Sequence, residues 1–211
     1  MKLRTFVITI ETCDPSLEAA RRCVESARQF GVDCEVYSAT TPDDRPVEKM
    51  NARSWSTDKF HNRWCRFEPA CAAFLSHARL WEQCAGGQDP FLILEHDAVF
   101  VSPLPEARQG KVVCNYGKPS FGQFDLPASD FGPLSSGRYF KGTHAVYVTP
   151  AGAGELLQQA SDAEPVDVFL SSERFPWLTE VYPWPIECHD SVSTIQKPLG
   201  CRTKHNPVRP I

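Results

Sequence analysis

Glu95 and Asp97 sit one residue apart, with His96 between them, directly after Phe91-Leu92-Ile93-Leu94. Four consecutive apolar residues read as a strand buried on both faces of a sheet. Ala98-Val99-Phe100-Val101 then resumes the apolar run. Carboxylates in so apolar a setting are costly to keep charged without a cation or hydrogen-bond donors. Acids at the carboxyl end of a sheet strand also lie where open α/β sheets bind ligands. Hard oxygen ligands in that position suit Mg²⁺ or Mn²⁺ held against a phosphate. The plainer alternative is an acid pair that caps a helix or meets an arginine. Strand alternation would put Glu95 and Asp97 on one face and send His96 away in a neutral structural role. The other readings of His96 are a metal ligand and a metal-independent or inactive variant.

Further residues carry chemistry of their own. His77 falls on the helical face Ala70, Ala73, Phe74, His77, Trp81, Cys84, where a satisfied core histidine is the default. Arg79 lies off that face and either reaches a phosphate or is solvated. Asp167 is set in the apolar run Pro165-Val-Asp-Val-Phe-Leu170, and an acid ahead of an apolar run reads as a helix N-cap. Thr143 and His144 follow Gly142, which lets backbone approach a ligand closely or makes a tight turn before a strand.

These residues need a scaffold. Phe6–Ile10 is the first strand, and Asp14-Pro15 starts a helix, with Asp14 as N-cap, that Gly31 stops. Cys34–Ala39 is the second strand. Arg45–Arg66 is polar, aperiodic and carries Trp55, Phe60 and Trp64, so it reads as a long functional loop. A helix from Pro69 to about Cys84 precedes the Phe91–Leu94 strand. Strands are expected at Lys111–Tyr116, Tyr139–Val148 and Thr179–Tyr182, with a helix from Thr149-Pro150 to about Ala160. Gly117–Gly137, with Phe121, Phe124 and Phe131, reads as a second long loop suited to a lid. The last fifteen residues, with Lys197, Arg202, Lys204 and Arg209, form a basic tail that is either solvated or folds over phosphate.

A chain of 211 residues with 42% hydrophobic and 23% charged residues is of single-domain size and ordinary globular composition. Its net charge of −4 disfavours a broad nucleic-acid surface. No stretch has the ~20 apolar residues of a membrane span, and the N-terminus reads as a strand, not a signal. The nine cysteines are odd in number and lack C-x-x-C or zinc spacing. They read as reduced thiols of a cytoplasmic protein.

FLSHARLW followed by FLILEHDAVF is similar to the central signature of glycosyltransferase family 25, the lipooligosaccharide and collagen galactosyltransferases. GTHAVYVTPAGAGELL at Gly142–Leu157 resembles that family's "GTHAY" strand and helix, PVDVFL its "P-[IV]-D" segment, and FVITIE, more loosely, its first strand. The matches keep the family order from about residue 5 to 170. His96 departs from it, standing where the family has an acid.

The resemblance implies a single α/β domain of the glycosyltransferase A-type (Rossmann-like) fold, a twisted mixed sheet flanked by helices. Residues 1–100 would form the nucleotide-binding half and 101–211 the acceptor-binding half. It implies inverting, divalent-metal-dependent transfer of a hexose, by family default galactose, from a UDP-sugar to a glycan or lipopolysaccharide hydroxyl. Glu95 and Asp97 align with the metal-binding acids, and His189 takes the late position where several A-type enzymes add a metal ligand. Thr9, Glu11, Thr40, Ser76, His77, Arg79, Glu95 and Asp97 would hold the donor, Thr143 and His144 the sugar or acceptor. Asp167 stands where inverting A-type enzymes place the general base, with Asp190 and Glu187 next in line. The enzyme would be cytoplasmic and meet lipid-linked saccharide acceptors at the inner membrane face.

Three other functions compete. One is a catalytically degenerate nucleotide-sugar or glycan-binding protein, motivated by His96. Another is a transferase acting on protein or modified nucleic acid. The third, a nucleotidyltransferase, lacks its Gly-rich phosphate loop at Ile10–Pro15.

Overall fold

The computed structural model describes residues 2–189, 194 and 195. Its first half is a strand–helix–strand unit: β1 (Arg4–Thr9), α1 (Asp14–Gln29) and β2 (Cys34–Ser38). Then follow α2 (Pro46–Asn51), α3 (Phe67–Ala85), β3 (Phe91–Glu95), β4 (Ala98–Phe100), β5 (Val113–Asn115), β6 (Phe131–Pro133) and β7 (Ala145–Val148). The chain continues through α4 (Pro150–Gln158), α5 (Val166–Phe169), β8 (Thr179–Val181) and β9 (Ile186–Cys188).

Seven strands form one mixed sheet in the order β2-β1-β3-β7-β5-β8-β6. β1 runs parallel to β2 and β3, while β7 runs antiparallel to β3 and β5. β4 leaves this sheet and pairs antiparallel with β9 in a second, two-stranded one. The period of two is visible in the core. Phe6, Ile8, Phe91 and Ile93 face a cluster that includes α3, α4 and α5, whereas Val7, Leu92 and Leu94 face a cluster that includes α1. β3 is buried on both faces, as its apolar run predicts.

α3 is the central helix. Phe74 on it packs edge-on against Trp55, Phe60, Trp81 and Phe169, with ring centroids 5.2–5.9 Å apart. Aromatic contacts of this geometry add to the stabilisation from burial. On the opposite face, α1 buries only small residues, Ser16, Ala19, Ala20, Cys23, Ser26 and Ala27.

Several expected boundaries move. The 45–66 segment holds α2 and a 3₁₀ turn at Asp58–Phe60, with Met50 and Phe60 fully buried. These isolated anchors are too sparse to make a helical stripe. Asp14 is the first helical residue of α1, and Cys13 is the N-cap. The strand expected at Tyr139–Val148 starts only at Ala145, because Gly142 turns the chain at φ +100°. β6 interrupts the Gly117–Gly137 loop.

Candidate functional site

β1, β2 and β3 are parallel, so their carboxyl ends line up, with Ile8 opposite both Tyr37 and Glu95. The cleft there has two lobes. The smaller, of about 600 Å³, lies among the end of β1, the start of α1, Ala39–Asp43 after β2, and α3. The larger, of about 900 Å³, is lined by residues that include Asp97, Thr143, His144 and Asp167. Glu95, His96, Ala73, Thr194 and Ile195 border both lobes. Asp97 thus lies on the wall of the larger cavity.

Glu95 is the last residue of β3. β7 runs antiparallel to β3, so the residues just before β7 arrive beside Glu95. The Thr143 hydroxyl donates to Glu95 Oε1 at 2.7 Å, and the backbone N of Glu95 donates to His144 O at 3.1 Å. From α3, His77 places Nε2 3.2 Å from the same Oε1. Burial alone would raise the Glu95 carboxyl, but the His77 hydrogen bond and charge and the Thr143 hydroxyl outweigh it and hold it well below the usual range. The helical spacing correctly puts His77 inside, at 1% exposed, yet its partner is the acid and not the core.

Asp97 differs from Glu95. The chain turns at His96–Asp97, so strand alternation does not reach these residues. Cys188 Sγ donates to Asp97 Oδ2 at 3.0 Å. Asp97 Oδ1 is buried and has no hydrogen-bond partner among the described residues. An unsatisfied buried polar atom costs ~1–3 kcal/mol, which an ion or a donor would relieve.

The same turn places His96 on the border of both lobes. Its Nδ1 is hydrogen-bonded to the Ser16 hydroxyl at 3.1 Å, and the Ser16 oxygen accepts from Ile10 N at 2.9 Å. The imidazole thereby ties the end of β3 to the start of α1, between the two lobes.

Asp167 is not a cap. Pro165 holds that position, and the Asp167 carboxylate accepts from Val168 N at 3.0 Å. Burial, with the negative charge of Glu95 nearby, pushes it up to about 6. Such a value suits a group that must take a proton near neutral pH.

His144 is fixed by two glycines. A Cβ on Gly117 would lie 2.4 Å from its Nε2, and one on Gly142 would lie 3.0 Å from its Nδ1. Asn115 clasps Gly117 through both backbone groups, at 2.8 and 3.1 Å. The ring therefore lies against bare backbone.

The other expected site residues divide. Thr40 and Ser76 line the smaller lobe, where the Ser76 hydroxyl accepts from Thr40 N at 2.9 Å. Arg79 lines neither lobe; it donates to Thr40 Oγ1 at 3.4 Å and stacks on Tyr37. Thr9 is fully buried with its hydroxyl on Val7 O at 3.1 Å, and Glu11 is exposed outside both lobes. These two are corrections: one β-strand residue beyond Ile8 points into the sheet, and the turn carries the next acid outward. The exposed ring of His189 faces Glu187 at 3.5 Å, and its backbone N donates to Asp97 O at 3.1 Å. Glu187 is engaged by Lys118 at 2.9 Å. Asp190, Lys197, Arg202, Lys204 and Arg209 lie outside the described residues. Ser16 and Cys188 were not legible as site residues, since each reaches its acid or histidine through long-range pairing.

Among the described residues, no group of three or more His, Cys, Asp or Glu side chains is placed to hold a metal ion. No helix among the described residues is long and apolar enough to cross a membrane. No protein-family model matches the chain, and no curated protein matches its sequence.

Proposed function

We propose that this chain is a nucleotide-sugar-dependent glycosyltransferase of the A-type fold, similar to family 25, that moves a hexose from a UDP-linked donor to a saccharide hydroxyl with inversion. The observation that carries the reading is the joined pair of lobes. A cavity of nucleotide size at the ends of parallel strands opens, at Glu95–His96, into a larger one that holds a carboxyl poised near 6.

The donor nucleotide occupies the smaller lobe, with its diphosphate at the Glu95–His96 border and its hexose in the larger lobe. An acceptor hydroxyl lies against Asp167. Asp167 removes its proton as the oxygen attacks the anomeric carbon, and the bond from that carbon to the diphosphate breaks on the opposite face. Asp167 is left protonated, and the nucleoside diphosphate departs. His77 and Thr143 hold Glu95 ionised and in place throughout. An Mn²⁺ or Mg²⁺ ion would be held by Asp97 Oδ1, which has no hydrogen-bond partner among the described residues, together with the Glu95 carboxylate. When bound, such an ion neutralises charge on the diphosphate leaving group.

A second reading, a binding protein without turnover, is favoured only by His96 in place of the family's acid. Both are tested by screening UDP-, GDP- and CMP-sugars for metal-dependent hydrolysis and transfer, with Asp167→Asn alongside the native chain. Transfer should fall ~10²–10⁴-fold in the variant while nucleotide binding persists. Normal transfer by Asp167→Asn would remove the base, and binding without turnover in the native chain would establish the second reading.

A further inference from the structure

The larger lobe has a floor and a rim of opposite character. Asp167 and Glu95 are acidic and half-buried. Around them the wall is aromatic: Trp64, Phe121 and Tyr139 all line the cavity. Trp64 is 68% exposed, the largest exposure among the large apolar side chains of the described residues. Arg63 stacks over its ring at 4.3 Å. Phe121 and Tyr139 lie 6.3 Å apart with their planes tilted by 36°. Val168, beside Asp167, is another apolar side chain left 38% exposed on this wall.

Tyr139 connects rim to floor. Burial, with the charge of Asp167, raises its phenol. Its backbone is bridged to Ser171, so the ring is carried by structured chain. Ser120 adds a hydroxyl on the same wall, donating to Lys141 O at 3.1 Å and leaving its oxygen able to accept.

An indole held in water at the mouth of a cavity forgoes burial worth ~1.5–3 kcal/mol for a large side chain. A ligand that recovers this must present a flat C–H face of ring size. To be a substrate for Asp167 it must also present a hydroxyl at its edge. A pyranose does both: axial C–H bonds cover one face, and hydroxyls ring the perimeter. A serine or lysine side chain offers the nucleophile without the face.

We infer that Trp64, Phe121 and Tyr139 form the acceptor subsite, and that the acceptor is a pyranose of a glycan and not a protein side chain. This rests on the proposed function for the role of Asp167, but the binding of a sugar ring to the aromatic rim is measurable without turnover.

The experiment is saturation-transfer NMR on the unlabelled chain with the methyl β-glycosides of glucose, galactose and N-acetylglucosamine, and with N-acetylserine methylamide as the protein-type probe. UDP binding is followed separately by calorimetry. At least one glycoside should bind, receiving saturation chiefly at ring C–H protons. Trp64→Ala should weaken it at least ~10-fold, the size of one lost aromatic contact, with Trp64→Phe in between and UDP affinity unchanged. Because Trp64 is exposed, the variant should fold, and its UDP affinity verifies that.

Glycoside binding that is as tight in both Trp64→Ala and Phe121→Ala as in the native chain, absent altogether, or exceeded by the serine probe would overturn the subsite. Loss of UDP binding in the native chain, with glycoside binding intact and sensitive to Trp64, would fail the transferase reading and leave the subsite standing.

Discussion

Asp167→Asn should make the protein more stable while it removes activity, and the gain should depend on pH. Asp167 has an ordinary value of 3.8 and stands at about 6 in the fold. A carboxyl raised on folding binds its proton more tightly in the native state. Its contribution is harmless below the unfolded value and becomes a penalty as pH climbs through the native one. Two decades of proton affinity correspond to ~3 kcal/mol at full charge, and the side chain's partial exposure makes this the upper end. At pH 4.5 the penalty is ~1 kcal/mol and above pH 7 it is complete, a change of ~2 kcal/mol between the two. Asparagine carries no such term and keeps an oxygen for the Val168 N–H. For a chain of this length, 1 kcal/mol shifts Tm by ~2–4 °C. The variant should therefore gain several degrees over the native chain at pH 7.5 and less at pH 4.5, by calorimetry in matched buffers. Native transfer should rise with pH through about 6 as the base deprotonates. An Asn variant that melts lower at pH 7.5, or whose advantage does not change with pH, would refute the argument that burial tunes this carboxyl.

Gly117→Ala drives a methyl into the His144 ring, so it should cost ~1–3 kcal/mol, read as a lowered Tm, and should also depress transfer because the ring must leave its seat. An unchanged Tm would show that the histidine moves freely. Asp97→Asn should cut metal-stimulated transfer at least ~10²-fold with little change in folding; full activity in excess chelator would reject a metal at this carboxylate. On the proposed function, His96→Asp supplies the acid that the resembled pattern carries there and should keep or raise activity, with its carboxylate accepting the Ser16 hydroxyl in place of the imidazole. A collapse in metal affinity on that change would show that the imidazole itself holds the ion.

The elements that signal through local pattern were legible. β1, α1, β2, α3 and β3 announce themselves by period and by flanking proline or glycine, and all lie within a few residues of their expected bounds. The β4–β9 ribbon was not, because each strand is three residues long and the pairing joins residues about ninety apart. The site shows the same divide. Glu95, Asp97, His77, Thr143 and Asp167 could be picked out by residue type, position and resemblance. Their pairing could not: that His77 and Thr143 share one oxygen of Glu95 follows from the β3–β7 register. The contact of His96 with Ser16 was not legible either, since alternation holds only while the chain remains a strand.

The thiols have a practical consequence. Burial pushes those of Cys34, Cys71, Cys84 and Cys114 up to about 12, and that of Cys23 higher still, so they form almost no thiolate at neutral pH. Cys13 and Cys188 are partly exposed, and they stand on different walls: Cys13 borders the smaller lobe and Cys188 the larger. Among the described cysteines, Cys13 and Cys188 thus serve as alkylation reporters on the two walls, while Cys65 on the larger lobe is buried. Protection of Cys13 by a nucleotide and of Cys188 by a saccharide can be scored separately, by mass, on a single unmutated sample.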